Sequence, residues 1–103
     1  MALFAGPKKD YAMLVCAVGD VAPRRPDPAG IFVEVASRLG QADLCFGQME
    51  CPVSDRGSPS PHARLAMRTG ADVAPALRDA GFDVMSVAGN HALDYGAPAL
   101  TDT

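Results

Sequence analysis

Residues 12–20, AMLVCAVGD, decide the fold class: seven apolar side chains, Ala12–Val18, run without a break and then give out into Gly19 and Asp20. Near-continuous hydrophobicity over strand length, rather than strict alternation, is the pattern of a strand buried on both faces of a parallel sheet. Two further segments have the same length class and β-rich content, Asp43–Phe46 (DLCF) and Phe82–Val87 (FDVMSV). Between the first two, Ile31, Val35 and Leu39 recur at four-residue spacing with Phe32 beside them, which predicts an amphipathic helix over Asp27–Leu39 stopped by Gly40. A second helix is predicted over Asp72–Ala80, with Pro75 tolerated in its first turn, Val73, Ala76, Leu77 and Ala80 facing inward, and Gly81 ending it. The order β-α-β, loop, α-β is that of an α/β fold.

The remaining segments fill in around that frame. Cys51–Pro61 (CPVSDRGSPSP) is dense in Pro, Ser and Gly and reads as an exposed connection. Arg64–Arg68 (RLAMR) reads as a short extended segment. Gly89-Asn90-His91 leads into a third helix, of which Pro98 to Thr103 form the opening turns. Residues 1–11 read as an N-terminal tail, and residues 12–103 as one partial domain that stops inside an element. Met13, Met67 and Met85 are assigned to core packing, and His62, between Pro61 and Ala63, to an exposed loop.

Composition bounds the function. The chain has 103 residues, 9 Lys and Arg against 12 Asp and Glu, a formal net charge of −3 and 49% hydrophobic residues. It is globular in composition and lacks the basic footprint of a nucleic-acid binder, since only Lys8-Lys9 and Arg24-Arg25 even pair up. The longest apolar run, Tyr11 to Val18, is too short to cross a bilayer and has no small-residue cleavage site after it. A cytoplasmic location without a membrane segment is the corresponding expectation. Cys16, Cys45 and Cys51 form an odd count with no C-x-x-C, which supports neither a disulfide framework nor a zinc knuckle. Cys16 and Cys45 read as small buried hydrophobes. Neither phosphate-cradling glycine motif, G-x-x-x-x-G-K-[ST] or G-x-G-x-x-G, is present, and there is no G-x-S-x-G.

The chemistry lies where the strands end. Each apolar run gives way to a small residue and then a ligand-capable one: Val18-Gly19-Asp20, Phe46-Gly47-Gln48-Met49-Glu50 and Ala88-Gly89-Asn90-His91. In a parallel sheet the carboxyl ends of the strands share one edge, and ligands bind in the crevice outside it. Taken singly, Asp20 starts a turn, Glu50 is a solvated loop charge, Asn90 caps a helix and His91 sits in its first turn. Taken together, two carboxylates, an amide oxygen and an imidazole are a donor set for Mn²⁺, Fe²⁺ or Zn²⁺.

These residues carry a resemblance. The run Arg68–Gly96 (RTGADVAPALRDAGFDVMSVAGNHALDYG), with Val18-Gly19-Asp20 and Asp43–Pro52 (DLCFGQMECP) before it, resembles the signature of the bacterial capsule-synthesis CapA family, the poly-γ-glutamate capsule proteins. The resemblance implies a metallophosphatase-like, calcineurin-like αββα sandwich. It also implies that the chain corresponds to the amino-terminal half of a family domain more than twice as long. By the same resemblance Asp20 is a ligand of a first metal, Glu50 bridges two metals, Asn90 holds the second, and His91 is the acid at the leaving-group oxygen. Asp94 supports the site without ligating. The implied chemistry is metal-dependent hydrolysis of a phosphoester or a polyglutamate-related substrate in capsule synthesis.

Three departures from the pattern stand out. Ala22 occupies the position at which calcineurin-like enzymes carry a histidine. Gln48-Met49-Glu50 replaces Asn-Leu-Glu. The later histidines of such sites belong to the second half of the domain. The rival readings are a non-catalytic assembly or export factor and an inactive truncated fragment. A half-sheet with an open apolar edge also leads one to expect a homo-oligomer.

Overall fold

The structure, a computed structural model, describes residues 2–5 and 13–103. Residues 6–11 of the expected tail, and Ala12 at the start of the first expected strand, lie outside the described residues. Four strands form one sheet in the order β1 (Ala2–Ala5), β2 (Leu14–Val21), β3 (Leu44–Met49) and β4 (Val84–Ser86). β2, β3 and β4 run parallel, and β1 adds antiparallel to the free side of β2. The crossovers carry α1 (Val33–Leu39), preceded by a 3₁₀ turn at Pro28–Gly30, and α2 (Val73–Ala80); α3 (Gly96–Asp102) follows β4. The α/β class and the β-α-β, loop, α-β order are as the sequence predicts. β1, taken from the expected tail, is an addition.

Each parallel rung begins with an aspartate. Asp43 accepts the Leu14 N–H on its carboxylate at 2.7 Å and donates its own N–H to the Leu14 carbonyl at 2.8 Å. Asp83 repeats the arrangement one strand over, accepting from Cys45 N–H at 2.8 Å and donating to the Cys45 carbonyl at 2.9 Å. Both lie just before their strands rather than inside them, and a backbone group at each strand start gains a side-chain partner. At the other end β2 and β3 continue through the polar residues, with Asp20 opposite Gln48 and Val21 opposite Met49 after an irregularity between Ala17 and Asp20. The expected strand ends at Val18 and Phe46 therefore move outward by three residues.

One face of the sheet carries the core. Cys16, Cys45 and Met49 point into it and meet Phe32, Leu39, Val73, Leu77 and Ala80 from the helical layer, together with Cys51. Val73, Leu77 and Ala80 repeat at helical spacing, so α2 buries the predicted stripe and ends on Gly81 in the left-handed region at φ 104°. α1 is shorter than predicted, because the residues from Pro28 to Gly30 tighten into the 3₁₀ turn. It buries Leu39 and leaves Val35 exposed. Met67 and Met85 pack against the core as expected, whereas Met13 is 58% exposed. Gly47 makes a close approach possible: a Cβ there would lie 2.9 Å from the Phe82 ring and 3.0 Å from the Met85 sulfur. Phe82 then reaches Phe32 edge-to-face, with centroids 5.8 Å apart.

By strand alternation the other face presents Val15, Ala17, Leu44, Phe46 and Val84, none of which belongs to the core cluster. Cys16 and Cys45 are register partners and both fully buried; burial first, then the neighbouring Cys16, pushes the Cys45 thiol up to about 11. No helix among the described residues is long and apolar enough to cross a membrane.

The segment from Cys51 to Thr69 is anchored rather than free. Val53 and Thr69 form a parallel bridge, and Arg64–Arg68 forms no strand. Ser54 donates its hydroxyl to Asp102 on α3 at 2.6 Å, and Arg56 clamps the same carboxylate through Nε at 2.8 Å and through Nη2. These bonds, the Arg56 contact first, pull the Asp102 carboxyl down to about 2. A depressed carboxyl stabilises the fold above its ordinary value, and the contribution disappears as pH falls through the folded value. The expected NMR titration midpoint for Asp102 is therefore near 2, moving back toward 3.8 in Arg56→Ala.

Gly57 in the same segment has φ 86°, and a Cβ there would sit 2.0 Å from the Tyr95 carbonyl oxygen. Gly57→Ala is expected to cost about 3 kcal/mol in urea denaturation, through strain and collision together. Gly19, with nothing within 4 Å of its Cβ position, serves as the control; Gly19→Ala should change stability by less than about 0.5 kcal/mol.

Candidate active site at the carboxyl edge of the sheet

Glu50 follows β3 directly, and its N–H donates to the Val21 carbonyl at 3.1 Å, one rung past the last strand pair. This bond fixes Glu50 beside the end of β2. After β4 the chain turns three times in succession, with Ala92 N–H bonded to Gly89, Asp94 N–H to His91 and Gly96 N–H to Leu93. α3 therefore starts only at Gly96, with Tyr95 at its N-cap making no side-chain bond. α3 overlaps the expected opening turns at Pro98–Thr103, but its N-cap is Tyr95, so Asn90 does not cap it.

The turns bring His91 between two carboxylates. Its Nδ1 lies 2.6 Å from Asp94 Oδ2, and its Nε2 lies 3.9 Å from Glu50 Oε1. Asp94 is only 6% exposed, and the same Oδ2 accepts the Met67 N–H at 2.7 Å. An oxygen already accepting one hydrogen bond acts as acceptor for the imidazole too, so Nδ1 carries the proton and Nε2 is left facing Glu50. The Asp94 carbonyl accepts the Ser60 N–H at 2.7 Å, and the Arg68 guanidinium stacks 4.3 Å over the neighbouring Tyr95 ring. Gly89 leaves room for the Gln48 amide, whose nitrogen would be 3.1 Å from a Cβ there.

Of the predicted site residues, then, Glu50 and His91 meet. Asp20 is exposed near the end of β2, opposite Gln48, and lines a cleft of about 460 Å³ with Ile31, Phe32 and Leu39. Asn90 is exposed at the first of the turns. Among the described residues no three His, Cys, Asp or Glu side chains group closely enough to hold a metal ion. Within the His91 cluster the reason is geometric, because the two ring nitrogens address different carboxylates and cannot share one ion. Cys51, beside Glu50, is buried; burial pushes its thiol up, and the charge of Arg24 opposes that rise more than any other group. His62 is exposed, as predicted.

Sequence reading gave Asp94 a supporting place but not its burial or its grip on His91. The i, i+3 spacing of His91 and Asp94 is the signal that carries it.

A family model described as bacterial capsule synthesis protein PGA_cap matches residues 12–103. The chain belongs to this family. Two Sinorhizobium fredii proteins, "Uncharacterized protein y4sH" and "Uncharacterized protein y4uA", are each 34% identical to it over 95 residues, covering 84% of this chain and 21% of theirs. The chain thus spans about a fifth of the length of the curated relatives it matches. In this member of the family the Asp94 knot is expected to be structural. Asp94→Ala leaves the Met67 N–H and the imidazole without their partner and should cost about 2 kcal/mol in urea denaturation.

Proposed function

We propose that this capsule synthesis protein is the amino-terminal part of a metallophosphatase-like αββα domain that hydrolyses a phosphoester bond in the making of a capsular polymer such as poly-γ-glutamate. The observation that carries the reading is the His91 dyad. A buried carboxylate fixes one nitrogen of an imidazole and turns the other toward Glu50, at the sheet edge where α/β folds bind ligands. Doubly protonated, an imidazole held this way can give its Nε2 proton to a leaving-group oxygen and return to the neutral ring with Nδ1–H on Asp94, which keeps the ring in place.

The donor chemistry of Asp20, Glu50 and Asn90, two carboxylates and an amide oxygen, fits Mn, Fe or Zn, and these are the residues that would hold the ion. Such an ion, when bound, lowers the pKa of its water to about 7 and supplies hydroxide at neutral pH. The apolar sheet face of Val15, Ala17, Leu44, Phe46 and Val84 supports a sandwich, since a second layer would bury it. The rival reading is a non-catalytic assembly or export factor.

The test is elemental mass spectrometry and hydrolysis of bis(p-nitrophenyl) phosphate with the full-length Sinorhizobium fredii y4sH protein, beside this chain. Metal-dependent turnover that falls by at least about 100-fold when the counterpart of Glu50 becomes Gln is expected. A full-length relative that binds no metal and turns over no phosphodiester establishes the assembly reading instead.

A further inference from the structure

We infer that Gln48 is the positioning residue of the Glu50–His91 pair, its amide standing as a spacer between the two chain exits that carry them. That role rests on the reading of the pair as the working centre of the proposed function, and adds to it the residue that sets the separation.

Gln48 is half-buried and stands opposite Asp20 on β2 and Ser86 on β4, so it is the middle of the last rung that all three parallel strands share. β4 ends on that rung, whereas β3 runs on through Met49 to Glu50. Among the described residues the backbone bonds beyond the rung stay within the turns: Gly89 N–H to the Val87 carbonyl, Ala92 N–H to the Gly89 carbonyl and Asp94 N–H to the His91 carbonyl. No backbone ladder therefore fixes how far His91 stands from Glu50. The Gln48 side chain lies in that interval. Its Nε2 donates to the Met49 carbonyl at 3.2 Å, next to Glu50, and would be 3.1 Å from a Cβ on Gly89. The same Cβ position lies 4.0 Å from the Glu50 carbonyl oxygen. Gly89 in turn closes, through its own carbonyl, the turn that contains His91. An amide pinned by a hydrogen bond on one side and packed on bare backbone on the other is a wedge of fixed size. With that wedge in place His91 Nε2 is 3.9 Å from Glu50 Oε1. Asp94 holds the other side of the imidazole, so removing the wedge frees only the side that faces Glu50.

The experiment is NMR on this chain in chelator-treated buffer, reading the nuclear Overhauser cross-peak between the His91 ring protons beside Nε2 and the Glu50 side chain. Exchange of the Met67 N–H, which is bonded to Asp94, reports the opposite side of the ring. Gln48→Ala is expected to lose the cross-peak while Met67 exchanges as slowly as before. Gln48→Asn, one methylene short of Gly89, should lose it too, and adding Gly89→Ala should bring it back by supplying a methyl where the amide no longer reaches. A cross-peak that survives Gln48→Ala overturns the inference, as does its absence from the unchanged chain. Loss of the cross-peak together with the Met67 protection overturns it as well, since that marks general loosening, and so does a double variant that restores nothing. If the cross-peak follows Gln48 while the full-length relative hydrolyses no phosphodiester, the spacer stands and only the hydrolase reading fails.

Discussion

The Asp94 carboxylate is the group on which the edge of this molecule depends. It is buried, and a buried charge is tolerable only where donors surround it. Its donors come from the Met67 N–H in the long connection and from His91 three residues upstream, while its own carbonyl takes Ser60. Two points of that connection and the turns after β4 are thereby tied to one residue. The connection from Cys51 to Thr69 has no helix and only a single bridge, so it owes its course to such bonds and to the Ser54 and Arg56 clasp on α3. Glu50 and His91 face each other because both sides of the gap are held, Glu50 by its rung to Val21 and His91 by Asp94.

The helical side of the sheet works by a different rule. There the constraint is volume: Gly47 is bare so that Phe82 and Met85 can cross β3, and Phe82 in turn supports Phe32 at the start of α1. Asp43 and Asp83 set the strand starts by pairing both ways with the neighbouring strand. Register is therefore fixed at the beginning of each strand by a side chain and along its length by packing. This delivers the carboxyl ends, with Asp20, Glu50 and the turns after β4, to one edge.

What could be read from the sequence follows from this division. The packed elements show a period, so the α2 stripe of Val73, Leu77 and Ala80 and the buried Cys16 and Cys45 were legible. Of the expected convergence of Asp20, Glu50, Asn90 and His91, the structure brings only Glu50 and His91 within 3.9 Å. The bonded elements show none. A carboxylate that closes a strand start, as Asp43 does, looks like any polar residue bordering a hydrophobic run. The serines, prolines and glycines of 51–61 read as exposed loop because their bonds are to residues about forty positions away. The polar continuation of β2 and β3 was missed because strand content was judged by apolarity, whereas pairing with a neighbour can carry Asp20 and Gln48 as well. Strand β1 lies in a segment read as a tail, and it pairs with a strand whose own partners were already accounted for.

The same division separates two kinds of site residue. Asp20 and Asn90 are exposed near the carboxyl edge and take part in no side-chain hydrogen bond among the described residues. Asp94 is the opposite, since what orients His91 also satisfies a buried backbone donor and anchors a connection. Glu50 lies between, with its backbone inside the β2–β3 ladder and its side chain half-buried in the crevice. What holds His91 is therefore part of the fold, whereas Asp20 and Asn90 are held by none of the side-chain bonds that build it.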